Sequence, residues 1–178
     1  MLKRDDTVVA IVDFQGKLAR IVRDSEAVLQ AAARLIRGAK VLEVPVVWTE
    51  QNPAGLGPTV PEVAELLEGQ AIAKLSFSCC AEPRFADALK RLARKDVLLA
   101  GIETHICVYQ TAAELLAAGY AVHVVADAVS SRTSANKAIG LAKMERAGAH
   151  VTSVETALFE LQRIAEGPTF KELLRIVK

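Results

Sequence analysis

Aromatic residues make up only 4% of this 178-residue chain, although 52% of it is hydrophobic. The apolar mass is therefore aliphatic and alanine-rich, as expected where helices pack on a buried sheet. No charge sign dominates: 22 Lys and Arg stand against 21 Asp and Glu, a formal charge of +1. The missing basic excess argues against a general nucleic-acid binder. So little net charge on so apolar a chain also excludes disorder. No run approaches the roughly 20 consecutive apolar residues of a membrane span, and the segment Met1-Leu2-Lys3-Arg4-Asp5-Asp6 is too polar for a signal peptide. Cysteine is scarce: Cys79, Cys80 and Cys107 form no even framework, and a reducing cytoplasm is expected. The histidines at 105, 123 and 150 are too scattered for a metal motif, and neither CxxC nor HExxH occurs.

What is present is alternation. Thr7–Val12 is a short β-branched run and predicts a first strand. Ser25–Leu42 follows with helical spacing through Val28, Ala32, Leu35, Ala39 and Leu42, with Ser25 as the expected N-cap. A second strand is expected over residues 44–49, with Pro45 tolerable only near its start. Asn52–Pro61 is rich in proline and glycine and predicts a stiff loop. A short helix over Glu62–Glu68 and a weak third strand over Ala71–Leu75 come next. Then come a helix over Glu82–Arg94, a fourth strand over Val97–Ala100 and a long helix over Thr104–Ala118 that Gly119 stops. A fifth strand over Ala121–Ala126, a helix over Ser134–Ala147 and a sixth strand over His150–Thr152 complete the alternation, and helices over 155–165 and 169–177 close the chain. This pattern predicts one α/β domain over residues 1–178, a parallel sheet with helices on both faces. A chain this long can bury roughly 70% of its unfolded surface.

In an open parallel sheet, ligands bind beyond the carboxyl ends of the strands, near the point where strand order reverses. Asp13, Phe14 and Gln15 follow the first strand, Glu50 and Gln51 the second, Lys74 and Phe77 the third. Gly101-Ile102-Glu103-Thr104-His105-Ile106-Cys107 follows the fourth, and Asp127 with Ser130 and Ser131 the fifth. Cys107 falls in the expected first turn of a helix, where unpaired amides and the helix dipole favour a thiolate or an oxyanion. Asp13 can take the thiol proton, and Lys74 can hold both anionic partners, giving an activated nucleophile without histidine. Each residue also has a plain alternative. A buried cysteine is usually a small hydrophobe, an aspartate at a strand end a turn residue, and a lone lysine a solvated one. Asp127 is expected to cap the following helix, and His123 to be structural.

The order Val12-Asp13-Phe14-Gln15, then Lys74 with Phe77-Ser78, then Gly101 through Val108, resembles the isochorismatase-like cysteine hydrolase superfamily over essentially the whole chain. Leu42 through Gln51, with Gly55 through Pro61 after it, resembles the branch of isochorismatase-domain-containing proteins. The resemblance implies a three-layer α/β/α, Rossmann-like domain whose six parallel strands run in the order 3-2-1-4-5-6. It implies Cys107 as nucleophile, Asp13 as general base and Lys74 as electrostatic partner in hydrolysis of a small amide or carbamoyl compound. It also implies a non-proline cis peptide at Ile102-Glu103, with the Glu103 and Cys107 amides as oxyanion hole, and assembly into dimers or larger homo-oligomers.

Two departures sharpen this expectation. Enzymes that cleave isochorismate generally lack the cysteine, which is present here as Cys107. Nicotinamidases place an Asp-x-His and a further histidine after the second strand to hold a metal, where this chain has Thr49-Glu50-Gln51-Asn52. No metal and no cofactor are therefore expected, and nicotinamide is not the expected substrate. Phe14, Gln15, Trp48, Glu50, Phe77 and His105 are the expected pocket residues. The competing reading is a catalytically silent binding or thiol-sensor protein on the same fold. A nucleotide-binding protein is disfavoured because Asp13-Phe14-Gln15-Gly16-Lys17 is no phosphate loop.

Overall fold

In a computed structural model describing residues 1–178, the run Thr7–Val12 is strand β1, buried at every position. The chain continues through α1 (Leu18–Ile21), α2 (Ser25–Val41), β2 (Val46–Gln51), α3 (Pro53–Leu56), α4 (Pro61–Ala64) and β3 (Ile72–Lys74). Then follow α5 (Pro83–Leu92), β4 (Asp96–Ile102), a π-helical turn (Thr104–Val108) and α6 (Tyr109–Ala117). The chain ends with β5 (Ala121–Ser130), α7 (Ser134–Arg146), β6 (His150–Thr152), α8 (Val154–Gln162) and α9 (Gly167–Val177). All six strands form one sheet in the order β3-β2-β1-β4-β5-β6, and every pairing is parallel. No helix is long and apolar enough to cross a membrane.

Side chains alternate across the strands and divide the core in two. Val9 and Ile11 of β1 and Leu98 and Ala100 of β4 join the layer of α2, α8 and α9. Val8, Ala10 and Val12, with Val97 and Leu99, join that of α5, α6 and α7. The stripe Val28, Ala32, Leu35, Ala39 and Leu42 is buried, as its helical spacing predicts. Gly101 fixes the approach of β4 to β1. Its φ is +147°, and a Cβ there would lie 2.3 Å from the Val12 carbonyl oxygen. Only glycine allows the two strands to meet so closely directly below Asp13.

Several boundaries differ from expectation. β2 starts after Pro45, whose carbonyl accepts from Val9 N, and runs on to Gln51, so Glu50 and Gln51 lie on the strand. β3 is shorter than expected. β4 is longer at both ends, and β5 reaches Ser130 past a register shift between Leu99 and Gly101. α5 and α8 stop early because Ala93 and Arg163 take positive φ, 52° and 66°. The expected helix over residues 62–68 is the single turn α4, and α1 was not expected at all. Ser25 is not the N-cap of α2. Asp24 holds that place with φ 53°, and the Ser25 hydroxyl donates to the Ala19 carbonyl. Asp127 caps a different helix from the one expected. Its carboxylate accepts from Val154 N at the start of α8, whereas Thr133 caps α7.

Candidate active site

Strand order places β1 beside β4, the reversal point of the sheet, with β2 and β3 next to β1. The carboxyl ends of β1 and β3 bring Asp13 and Lys74 together. Lys74 Nζ donates to Asp13 Oδ2 at 2.6 Å, with the two side chains essentially out of solvent. Nζ also donates to the Ser76 and Phe77 carbonyls, each at 3.1 Å, so all three of its protons have acceptors. The other carboxylate oxygen of Asp13 accepts from Thr49 Oγ1 at 2.8 Å. Every group of this buried ion pair is thus hydrogen-bonded, the condition under which such a pair is tolerated. Asp13 itself has φ 54°, a left-handed conformation that aspartate adopts more readily than most residues. The turn carrying Phe77 is anchored to α6 by Ser78 Oγ donating to Glu114 and by Cys79 N donating to Thr111 Oγ1.

Cys107 enters the site from the far side of the reversal point. It lies in the π-helical turn that follows β4, not in the first turn of an α-helix as expected. The Ile102-Glu103 peptide bond is cis. Gly140 of α7 packs on this turn: a Cβ there would lie 2.8 Å from the carbonyl carbon and oxygen of Thr104. The Glu103 N–H makes no hydrogen bond within the chain. The Glu103 side chain is occupied, its Oε1 accepting from the backbone and side-chain nitrogens of Arg132.

The thiol is not acidified, contrary to the expectation from a helix start. Burial pushes Cys107 up to about 12, and the negative charge of Asp13 pushes the same way, against the pull of Lys74. Cys107 is thus a neutral thiol beside a carboxylate, and its S–H donates to Gln51 Oε1 at 3.1 Å. Cys79 lies fully buried behind the pair, its sulfur 3.6 Å from Thr49 Oγ1. Burial raises that thiol too, to about 11. Cys80 is half-buried.

A cavity of about 300 Å³ opens on Cys107. Leu18, Leu56, Phe77 and Ile106 form its apolar wall, and Gln51, Asn52 and Glu103 its polar part. Of the expected pocket residues, Phe77 lines it and is half exposed. Trp48 does not. It alternates with Val47 and Thr49, so it faces the α2 layer, where its indole donates to the Glu68 carbonyl. Phe14 is buried in that same layer. Gln15 and Glu50 organise the loop instead of lining the cavity. Gln15 brackets the Gln51 backbone and donates to Gly57 O, and Glu50 accepts from the Thr59 amide and hydroxyl. His105 pairs with Ser131 Oγ at 2.9 Å, outside the cavity. A larger groove of about 810 Å³ lies over α2 and α4 and contains none of Asp13, Lys74 or Cys107.

Thr49, Leu18, Leu56 and Ile106 escaped the sequence reading as pocket or support residues, whereas Gln51 was noted there, with Glu50, as able to read a polar substrate group or order the loop. For Gln51 and Thr49 a signal existed. Both stand at the carboxyl end of the second strand, and alternation puts them on the Val47 face, the one that Cys107 joins. Leu18 and Leu56 carry no such signal, because they come from single helical turns.

Residues 7–156 match the model of the isochorismatase domain. The chain is 40% identical over 173 residues to isochorismatase domain-containing protein 2 of Xenopus laevis, covering 96% of this chain and 83% of that one. Among solved structures, a protein described as MAR1 ribonuclease from Caenorhabditis elegans superposes with a TM-score of 0.93 at 36% identity, over 99% of this chain and 91% of its own. The YcaC gene product of Escherichia coli, described as an octameric hydrolase of unknown specificity, superposes with a TM-score of 0.92 at 26% identity, over 98% and 89%.

Proposed function

Because the chain belongs to the isochorismatase family, we infer that it is a cysteine hydrolase, cleaving a C–N bond of a small amide or carbamoyl compound through a thioester on Cys107. One observation carries this reading: a fully hydrogen-bonded Asp13–Lys74 pair, 2.6 Å apart, stands beside a sulfur that opens on a cavity.

The roles follow from the charges. Lys74 stands against Asp13 as its buried counter-charge, which suits the carboxylate to act as the base. The thiol holds its proton until attack, and Asp13 takes that proton as sulfur bonds to the substrate carbonyl carbon. The carbonyl oxygen becomes an oxyanion, received by the amides of Glu103 and Cys107. Asp13 then protonates the leaving nitrogen, and ammonia or an amine departs. Water, deprotonated by Asp13, hydrolyses the thioester and restores the thiol.

The cavity supports a small uncharged substrate. Its lining carries no cation, since Lys74 is buried against Asp13 and Arg132 is tied to Glu103. A phosphodiester therefore lacks a counter-charge there, and we do not extend the ribonuclease description of the nematode relative to this chain. We further propose that the protein forms a homo-oligomer, as the octameric relative does, and works in a reducing cytoplasm that keeps its three thiols free.

The test is a panel of small primary amides and carbamoyl compounds, read by ammonia release and by intact mass for an acyl adduct. Turnover with an adduct on Cys107, abolished in Cys107→Ala, is expected. Turnover that survives Cys107→Ala overturns the mechanism. Absence of both adduct and ammonia, together with fast alkylation of Cys107, favours the thiol-sensor reading instead.

A further inference from the structure

The Cys107 S–H has one proton and two groups that compete for it. Gln51 Oε1 accepts it at 3.1 Å from the sulfur, and the negative charge of Asp13 acts on the same thiol. A proton that points at Gln51 is not available to Asp13. The Gln51 amide is oriented by its other end, where Nε2 faces the Leu75 carbonyl at 3.4 Å. The flipped amide would set two acceptors against each other at Leu75. The backbone of Gln51 is held as well. Gln15, itself fully buried, accepts from Gln51 N at 2.6 Å and donates to Gln51 O at 3.1 Å. Gln51 therefore presents a fixed carbonyl oxygen to the cavity, beside the nucleophile and among apolar walls.

We propose that Gln51 reads the N–H of the substrate amide, and that this contact releases the Cys107 thiol to Asp13. The inference rests on Cys107 being the nucleophile. A substrate N–H replaces the thiol as donor to Gln51 Oε1, and the freed S–H turns to the Asp13 carboxylate. The proton passes to Asp13 as the S–C bond forms and the carbonyl electron pair moves to oxygen. Collapse of that intermediate breaks the C–N bond, and the nitrogen leaves with the proton from Asp13. Gln51 exchanges one donor for another and neither gains nor loses a proton. The substrate class narrows accordingly to uncharged amides that carry at least one N–H. Esters and fully N-alkylated amides leave the thiol paired with Gln51. Such a site rejects the analogue lacking the donor because a polar group is then left unmatched.

Chloroacetamide and methyl chloroacetate test this without turnover, because both alkylate a thiol but only the first carries an N–H. The rate ratio at Cys107, located by peptide mass and normalised to the same ratio for glutathione, is the readout. Wild-type protein is expected to favour chloroacetamide by about ten-fold over glutathione, the scale of one hydrogen bond. Gln51→Met keeps the shape without the acceptor and is expected to bring the ratio within about two-fold of glutathione, with methyl chloroacetate reacting faster than in wild type. Gln51→Glu keeps an acceptor and is expected to retain the preference. Unchanged melting of the variants checks that they fold. A wild-type ratio equal to that of glutathione, an unchanged ratio in Gln51→Met, or no reaction of Cys107 with either reagent overturns the proposal. A selective ratio in a protein that turns over no amide instead overturns the hydrolase reading and leaves Gln51 as an amide reader.

Discussion

Lys74 Nζ stands 2.6 Å from Asp13 Oδ2 although sixty-one residues separate them in the chain, and solvent reaches almost none of either side chain. A pair this deeply buried is costly to break and cheap to replace, because the penalty falls on whichever charge is left alone. Lys74→Met is expected to destabilise the protein by about 3–5 kcal/mol and to abolish hydrolysis. Asp13→Asn combined with Lys74→Met is expected to recover much of the stability and none of the activity. Urea unfolding monitored by circular dichroism, with ammonia release measured alongside, checks both outcomes.

Asp13 opposes ionisation of Cys107, so removing its charge should make the thiol more reactive while stopping catalysis. Alkylation of wild-type Cys107 by 4-vinylpyridine, which carries no N–H, is expected to climb with pH without reaching a plateau by about pH 10, since the thiol is pushed up to about 12. Asp13→Asn leaves Lys74 as the nearest charge, and the alkylation profile is expected to shift to lower pH. Hydrolysis is expected to be lost in the same variant. A profile that stays in place, or moves upward, contradicts the arrangement described.

Gly140 allows α7 to lie against the turn that carries Cys107. Gly140→Ala forces the Thr104 carbonyl or the helix to move by several tenths of an ångström. An overpacking loss of about 1–3 kcal/mol is expected, together with a drop in kcat of about ten-fold, since small displacements of a reacting group are costly. Thermal unfolding and steady-state kinetics separate the two effects.

His123 provides a pH dependence remote from the site. Burial lowers its pKa, partly opposed by the hydrogen bond to Asp96 and its charge, and nearby His150 lowers it further. The folded state therefore takes up a proton less readily than the unfolded chain. Between the ordinary value near 6.5 and the lower folded value, the unfolded state binds more protons, and stability rises with pH. Stability is expected to fall as pH drops below about 6.5, and His123→Gln is expected to flatten that slope. Chemical denaturation at a series of pH values is the measurement.

The sheet and its helices were legible because apolar periodicity is a local property. The β-branched run of β1, the Val28–Leu42 stripe and the stops at Gly119 and Gly148 all lie within a few residues of the structure they dictate. The strand order, and with it Asp13 and Cys107 at the reversal point, came from the family resemblance and not from periodicity. Trp48 shows where local reading fails. It was expected near the end of a strand, but β2 begins two residues later and runs on to Gln51, so Trp48 lies mid-strand, and one step along β2 turns a side chain to the opposite face. His105 fails similarly. It sits in the turn that carries Cys107, yet its ring pairs with Ser131 outside the cavity.

Taken alone, the order of amino acids determined the alternating elements, the two-faced burial of the sheet and the short list of reactive side chains beyond its carboxyl edge. Only the tertiary structure decided that the thiol is neutral, because its ionisation depends on burial and on a carboxylate more than ninety residues away. It also decided that Gln51 meets the sulfur. That contact requires β2 to extend to Gln51 and the buried Gln15 to hold its backbone, and neither is written in the residues around Cys107.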